Sequence, residues 1–145
     1  MTINRIDHVG VVVNDLAAAK AFFLDFGLEV KEEGELEGEW LDRIVGLNAV
    51  RTAFVFLRTA DGQAELELVK YHSPSDAKAN RQPVANTLGI RHIAFAVDDL
   101  ETLVAKLKKK GTAVFSEIQY YENRYKLCYV RGPEGIILEL AEQIK

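Results

Sequence analysis

Hydrophobic and polar residues along the first half of the chain follow two periods, one typical of strands and one typical of a helix. Blocks rich in Val, Ile, Leu and Phe predict strands at residues 6–13, 28–31, 49–58 and 64–69. A helix is predicted over Leu16–Phe26. The short side chain of Asp15 can cap its start, and Gly27 tolerates the left-handed conformation that ends many helices. The acidic stretch 32–38 is expected to be an exposed loop, and residues 40–47 are left open as a short helix.

The second half of the chain repeats this order of elements. Strand 90–97 is followed by helix 98–110, in which apolar residues recur at helical spacing at Leu100, Leu103, Val104 and Leu107. Three further strands are predicted, at residues 113–118, Tyr125–Arg131 and 136–141. The chain is therefore predicted to be a single domain made of module 1 (residues 1–70), a linker (71–89) and module 2 (90–145), each module with the order β-α-β-β-β.

The repeat extends to individual residues. Ile6-Asp7-His8-Val9-Gly10 returns 84 residues later as Ile90-Arg91-His92-Ile93-Ala94. A repeat of this length predicts two copies of one supersecondary unit. Each copy carries a histidine at the start of its first strand, so the repeat also points to a site.

Side chains alternate between the two faces of a strand, and this alternation separates bulky from small residues in both copies. Val9 and Val11 share one face of the first strand, while His8 and Gly10 share the other. In the second copy His92 likewise shares a face with alanines. A strand face lined with histidine and then glycine or alanine suits the floor of a cavity better than a packed core.

The last strand of each module carries a glutamate between two leucines. These residues are Glu67 and Glu139. A carboxylate in a central strand is costly to bury unless it is paired or bound to a metal. Two histidines and two glutamates in repeated positions therefore predict a site for one divalent cation, for which Ni, Co, Mn, Fe and Zn are all suitable. Taken one at a time, such residues are more often structural, and Glu65 is a competing ligand on the face of Glu67.

Bulk composition limits the functional classes. The chain of 145 residues has a net charge of −4 and a pI near 5.4, which disfavours a nucleic-acid role. No apolar run is long enough for a transmembrane helix, and no signal peptide is visible. Cys128 is alone, so no internal disulfide is expected. These features predict a cytoplasmic protein that binds neither nucleic acid nor membrane.

The sequence resembles the vicinal oxygen chelate superfamily, also called the glyoxalase/bleomycin resistance/dioxygenase superfamily. The resemblance is carried by Ile6-Asp7-His8-Val9-Gly10-Val11, Asn14-Asp15-Leu16, residues 64–68, residues 89–99, and Gly132-Pro133-Glu134-Gly135-Ile136-Ile137-Leu138-Glu139-Leu140. It implies an α+β fold in which two tandem βαβββ modules form a curved mixed sheet around a metal-binding cavity, with the helices on the convex face. It also implies a homodimer that acts on a small molecule.

Carried over by position, the resemblance assigns His8, Glu67, His92 and Glu139 as ligands of one divalent metal ion per site. Such a His/Glu/His/Glu set is seen in bacterial-type glyoxalase I, a lyase that isomerises a hemithioacetal through an enediolate. Either glutamate could be the catalytic base. Methylmalonyl-CoA epimerase usually has Gln where Glu67 stands, and extradiol dioxygenases typically use two His and one Glu. These activities, and non-catalytic binding of the bleomycin-resistance type, remain the alternatives.

The chain departs from glyoxalase I after Glu67, where Leu68-Val69-Lys70-Tyr71 replaces the aromatic, Asn- and Gly-bearing segment usual there. No set of residues suited to anchoring glutathione is recognisable. The candidates for holding a substrate are Arg51, Arg124, Tyr121 and Trp40. Ordinary packing or surface exposure explains such residues equally well, so substrate and metal identity stay open.

Overall fold

A computed structural model of the chain describes residues 2–76 and 82–145. The described residues form two compact units, the first ending at residue 76 and the second beginning at residue 82. Residues 77–81 of the predicted linker 71–89 lie outside the described part. The first residues of that stretch, up to Ser73, continue a strand.

The first unit is a four-stranded mixed sheet with two helices. Its elements are β1 Val9–Val12, α1 Leu16–Phe26, β2 Glu29–Glu37, α2 Glu39–Val45, β3 Arg51–Arg58 and β4 Glu65–Ser73. The strand order is β1-β4-β3-β2. Strand β1 runs parallel to β4, and the other neighbours are antiparallel.

The second unit repeats this topology. Its elements are β5 His92–Ala96, α3 Leu100–Lys109, β6 Gln119–Tyr121, β7 Tyr125–Arg131 and β8 Ile137–Gln143, with a 3-10 turn at Pro133–Gly135. The strand order is β5-β8-β7-β6, with β5 parallel to β8. The α+β class and the paired βαβββ topology predicted from the sequence are confirmed.

Local capping chemistry explains where the helices begin and end. The Asp15 carboxylate accepts a hydrogen bond of 3.0 Å from the backbone N–H of Ala18, so α1 starts there. Gly27 follows with φ of 121°, a conformation that a side chain would strain. Helix α3 is capped in the same way by Asp99, which accepts from the N–H of Thr102 at 3.1 Å. Asp99, rather than Asp98 as the predicted helix start implied, is the N-cap.

Two predictions for individual elements are wrong. Residues 32–37 of the expected acidic loop 32–38 belong to β2, because β3 satisfies their backbone groups while their glutamates face solvent. The expected strand 113–118 contributes only a bridge between Val114 and Val130, and the sheet is instead extended by β6. Residues 40–47, for which a short helix was one possibility, are largely helical and form most of α2.

Burial follows the predicted alternation of faces. Leu66 and Leu68 of β4 are buried, as are Leu138 and Leu140 of β8, while the glutamate between each pair is only partly covered. On β1 the opposite face stays open, and Val12 is 65% exposed. Among the described residues, no helix is long and apolar enough to cross a membrane. Each sheet therefore has one face packed into a core and one face available for a site.

Candidate metal centre

The parallel pairing of β1 with β4 brings His8 to Glu67. Gly10 of β1 lies opposite Glu67 in the strand register, and His8 precedes Gly10 by two residues on the same face. The His8 Nε2 atom is 3.6 Å from the Glu67 Oε1 atom. The two predicted ligands of the first unit are therefore neighbours.

The second unit has the same geometry. Ala94 of β5 lies opposite Glu139 of β8, and His92 precedes Ala94 by two residues. The His92 Nε2 atom is 3.4 Å from the Glu139 Oε1 atom. The sequence repeat is thus also a repeat of side-chain geometry, with the same ring nitrogen facing the same carboxylate oxygen.

The donor pair within each unit has a spacing that can be compared with that of metal ligands. Bonds of about 2.0–2.2 Å from a divalent ion to imidazole nitrogen and carboxylate oxygen place neighbouring donors about 3–3.5 Å apart. The separation of 3.4 Å in the second unit lies within this range, and that of 3.6 Å in the first unit lies just above it. The His8 side chain is 36% exposed and that of Glu67 is 22% exposed, so both are covered on the sheet side yet open to an ion.

The environment of Glu67 perturbs its ionisation. Burial raises the pKa of the Glu67 carboxyl, and the neighbouring His8 lowers it by a smaller amount. The charged carboxylate is therefore under-solvated in the protein alone, and a cation or a proton bound there relieves this cost. Such a group suits both metal binding and proton transfer.

Glu65, the competing ligand, is already engaged. The Lys31 Nζ atom is 2.8 Å from the Glu65 Oε2 atom. An ammonium group at this distance neutralises the carboxylate and repels a metal ion. The structure therefore favours Glu67 over Glu65, which agrees with the position implied by the resemblance.

His8 has an orienting partner on its other ring nitrogen. The His8 Nδ1 atom is 2.8 Å from the Asp7 Oδ2 atom, and this contact is the main reason that the pKa of Asp7 is lowered. Metal-binding histidines are commonly held in this way through the second ring nitrogen, which fixes the tautomer that presents Nε2 to the ion. In the second unit the corresponding position is Arg91, so a carboxylate next to the histidine is found only in the first unit.

An aromatic ring lies on the far side of each glutamate. Phe56 of β3 pairs with Glu67, and its ring centroid is 5.0 Å from that of His8. Tyr129 of β7 pairs with Glu139, with its ring 5.2 Å from that of His92. Burial raises the pKa of the Tyr129 hydroxyl, and the nearby charge of the Glu139 carboxylate raises it further.

Sequence analysis missed these two aromatic residues. The sequence does contain a short repeat that could have identified them, because each aromatic residue stands two positions before an arginine, in Phe56-Leu57-Arg58 and Tyr129-Val130-Arg131. This part of the repeat has a different offset from the histidine segments, because the connections between strands differ in length. It becomes recognisable only once β3 and β7 are known to be equivalent.

The four predicted substrate-binding residues are two arginines in surface ion pairs and two exposed aromatic residues. The arginines pair with acidic neighbours, Arg51 with Glu37 at 3.8 Å and Arg124 with Glu122 at 3.4 Å. Trp40 is 49% exposed and Tyr121 51% exposed. Neither the ion pairs nor the exposed rings mark a substrate site, so these four assignments remain predictions.

A cluster of Asp99, Glu101 and Glu142 in the second unit has ligand atoms close enough to hold a cation. However, the Lys126 Nζ atom lies 3.0 Å from Glu101 and 3.7 Å from Glu142. Glu142 also accepts a hydrogen bond from the N–H of Leu100 at 2.8 Å. These contacts explain why the three carboxylates lie together: Asp99 caps the start of α3, Glu142 of β8 binds the first N–H of that helix, and Lys126 offsets their charge.

Two βαβββ units, each with a histidine and a glutamate side by side on the open face of its sheet, define a class of α+β proteins built from paired modules. The chain belongs to the Glyoxalase/Bleomycin resistance protein/Dioxygenase superfamily, whose sequence model matches residues 5–140. Many members of this superfamily are enzymes, others are not catalytic, and a divalent metal is common among them.

Similar proteins cover almost the whole chain. A glyoxalase family protein from Bacillus cereus of known structure is 35% identical, with a TM-score of 0.95, over 100% of this chain and 97% of that one. The structure of lactoylglutathione lyase from Agrobacterium tumefaciens is 25% identical, with a TM-score of 0.61, over 97% and 95%. The uncharacterized protein YwbC of Bacillus subtilis is 29% identical over 96% of this chain and 98% of its own length.

Proposed function

We propose that this protein is a metal-dependent enzyme with glyoxalase-I-like lyase or isomerase chemistry. His8, Glu67, His92 and Glu139 are its metal ligands, and one divalent ion of Ni, Co, Mn, Fe or Zn occupies each site. The observation that carries the proposal is the repeated geometry, in which a histidine Nε2 atom faces a glutamate Oε1 atom at 3.6 Å in one unit and 3.4 Å in the other.

In such a reaction the residues of the chain have separate roles. A divalent ion held there supplies Lewis-acid stabilisation of the negative charge that develops when a proton leaves a carbon beside a carbonyl group. Glu67 or Glu139 takes that proton and returns it to the neighbouring carbon. Asp7 holds the His8 ring with its Nε2 atom toward the site. The raised pKa of Glu67 brings this carboxylate closer to the range in which a general base works well.

The proposed substrate is a small hemithioacetal, thioester or hydroxy-carbonyl compound. The likeness to a protein named lactoylglutathione lyase supports a hemithioacetal. We keep Arg51, Arg124, Tyr121 and Trp40 as the proposed substrate-binding residues; exposed ion pairs such as those of the two arginines are weak enough to exchange for a substrate group. Epimerase and dioxygenase activities use the same site and are distinguished by their products.

The first test is the metal content of the untagged protein as purified, measured by elemental mass spectrometry. We expect about one equivalent of Ni, Co, Mn, Fe or Zn per site. We also expect His92→Ala and Glu139→Ala each to lower the affinity for Ni²⁺ by at least about tenfold, since losing a ligand should exceed the effect of losing a supporting residue. A Glu65→Gln variant is the matched control, because Lys31 already occupies that carboxylate.

The activity test uses proton NMR in deuterated buffer with a methylglyoxal–thiol hemithioacetal. Isomerisation with exchange of the carbon-bound proton supports the proposal. A metal-free protein that takes up none of these ions on reconstitution contradicts it and leaves small-molecule binding of the bleomycin-resistance type. That outcome also predicts that His8→Ala leaves ligand affinity unchanged.

We further propose that the protein works as a cytoplasmic homodimer. Dimers are frequent in this superfamily, and the acidic composition with a single cysteine is typical of the cytoplasm. Light scattering at tens of micromolar protein tests the assembly. A mass of 32 kDa, twice the 16.2 kDa of the chain, is expected, and a monomer contradicts it.

A further inference from the structure

One arginine of the second unit lies in the same row of its sheet as a predicted metal ligand. Arg131 of β7 and His92 of β5 are both paired with Ile137 of β8, one on each side. Their α carbons are therefore two strand spacings apart, or about 10 Å. Arg131 also follows Tyr129 by two positions, so the two side chains share the open face of the sheet.

Aromatic rings connect Arg131 to His92 across that face. The ring centroid of Tyr129 is 5.2 Å from that of His92, and the centroid of Phe115 is 5.8 Å from that of Tyr129. The Arg131 Cζ atom lies 4.8 Å from the centroid of the Phe115 ring. An aromatic ring attracts a guanidinium group placed over its face, and the N–H groups at the guanidinium edge stay available for hydrogen bonds.

Two backbone carbonyl groups hold the guanidinium through only one of its three nitrogens. The Arg131 Nη1 atom donates to the carbonyl oxygens of Pro83 and Gly135, the second at 3.0 Å. Within residues 2–76 and 82–145, the Nε and Nη2 atoms have no acceptor, and neither is buried, so both are open to solvent. These two nitrogens carry the pair of N–H groups that can hold a carboxylate through two parallel hydrogen bonds.

Arg131 also lacks an acidic partner in the part of the chain that the structure describes. A carboxylate oxygen lies 3.2–3.8 Å from each of five other arginines, namely Arg5, Arg43, Arg51, Arg58 and Arg124. All five are exposed, whereas Arg131 is half-buried. A charge that is partly removed from water without a counter-ion is costly, and a bound anion relieves that cost.

We propose that Arg131 is a specificity-determining residue that binds a carboxylate group of the substrate, away from the atoms that react. This inference rests on the proposed function and narrows its substrate class to small compounds that carry a separate carboxylate. His92 and Glu139 act at the reacting end of such a molecule, and Arg131 holds its other end. Arg51 and Arg124 are less suited to this task, because each must first release its own carboxylate.

A purely structural role is the alternative for Arg131, since its bonds to carbonyl groups tie the turn Pro133–Gly135 to Pro83. That role uses Nη1 alone and gives no reason for the open pair of donors in the row of His92. The two roles also differ in what a substitution does to ligand selectivity. Loss of a structural contact weakens charged and neutral ligands alike, whereas loss of a carboxylate-binding group weakens only the charged ligand.

The first experiment measures binding, so its readout does not depend on turnover. The probes are the lactoyl thioester of β-mercaptopropionate and the same thioester of β-mercaptopropionamide, which has nearly the same shape and no charge. By calorimetric titration we expect the carboxylate probe to bind at least about tenfold more tightly than the amide, and Arg131→Gln to abolish this difference. Arg43→Gln, which breaks an exposed ion pair with Glu39, is the matched control and should retain it.

The second experiment measures selectivity during turnover. The substrates are the hemithioacetals of methylglyoxal with β-mercaptopropionate and with β-mercaptopropionamide, followed by proton NMR. We expect Arg131→Gln to raise KM for the carboxylate substrate at least about tenfold with little change in kcat, because a contact away from the reacting atoms binds substrate and transition state alike. Arg131→Lys keeps the charge without the paired donors, so its KM should be intermediate.

The outcomes distinguish this inference from the function on which it rests. If neither hemithioacetal is converted but binding of the carboxylate probe depends on Arg131, the proposed chemistry fails and the carboxylate site stands. If both are converted and Arg131→Gln leaves the preference for the carboxylate intact, only the inference is overturned. Should the Arg131 variants fail to fold, the unchanged protein decides, and equal affinity for the two probes or no binding of the carboxylate probe overturns the proposal.

Discussion

The environment of Glu67 predicts that Glu67→Gln has opposite effects on the protein alone and on its metal complex. The carboxylate is 22% exposed, and burial is the main cause of its raised pKa. A group whose pKa is raised by folding binds its proton more tightly in the folded state, so its contribution to stability is present at low pH and is lost as pH rises through the folded pKa. At neutral pH the ionised Glu67 therefore opposes folding, and the neutral amide removes this cost.

In the metal complex the same substitution removes a ligand. An ion present at about 100 times its Kd stabilises the folded state by about 2.7 kcal/mol. If Glu67→Gln weakens binding about tenfold, the same ion concentration is about 10 times Kd and contributes about 1.4 kcal/mol. For a chain of this size 1 kcal/mol corresponds to about 2–4 °C in Tm, so the rise in Tm on adding metal should be about half as large in the variant.

The assay is thermal unfolding with and without Ni²⁺ at pH 7. Without metal we expect Glu67→Gln to match or exceed the Tm of the unchanged protein, and with metal we expect the smaller rise. Glu65→Gln is the control, because it lies on the same strand and loses only a partly exposed ion pair with Lys31, worth at most about 1 kcal/mol. The reasoning is refuted if Glu67→Gln keeps the full rise in Tm, or if Glu65→Gln loses it too.

Two further predictions concern the open face and the scaffold. Gly10→Ala should leave Ni²⁺ affinity unchanged, because its new methyl group would lie 3.8 Å from Glu67 and Ala94 already occupies the equivalent place, whereas Gly10→Leu should lower it. Calorimetric titration measures both, and equal affinities would contradict the close approach. Asp15→Ala should lower the free energy of unfolding by about 1 kcal/mol in urea, since it removes the cap of α1. An unchanged midpoint would show that the 3.0 Å bond contributes nothing.

The ends of helix α1 were predicted more accurately than the edge strand β2 of the first sheet. Helix α1 spans Leu16–Phe26 as predicted, because Asp15 and Gly27 determine its ends through contacts within a few residues. Strand β2 was taken for a loop because its acidic, glycine-containing sequence is a poor strand on its own. Its pairing with β3 overrides that local preference.

The candidate site was likewise predicted in part. His8, Glu67, His92 and Glu139 could be selected from the sequence, because strand alternation and an internal repeat are local patterns that survive without a structure. The choice between Glu65 and Glu67 was not accessible from that pattern alone, since both lie on the same face. Lys31, which comes from another strand, pairs with Glu65 at 2.8 Å and so favours Glu67 as the candidate.

The sequence by itself determined the repeat, the α+β topology of each module and the residues that could serve as metal ligands. Only the tertiary structure decided which groups surround those residues. Asp7 behind His8 is adjacent in sequence, but Phe56 and Tyr129 reach the glutamates only through the register of β3 with β4 and of β7 with β8. Register depends on how whole strands pair and on the length of their connections, so residues far apart in sequence become neighbours that no local pattern records.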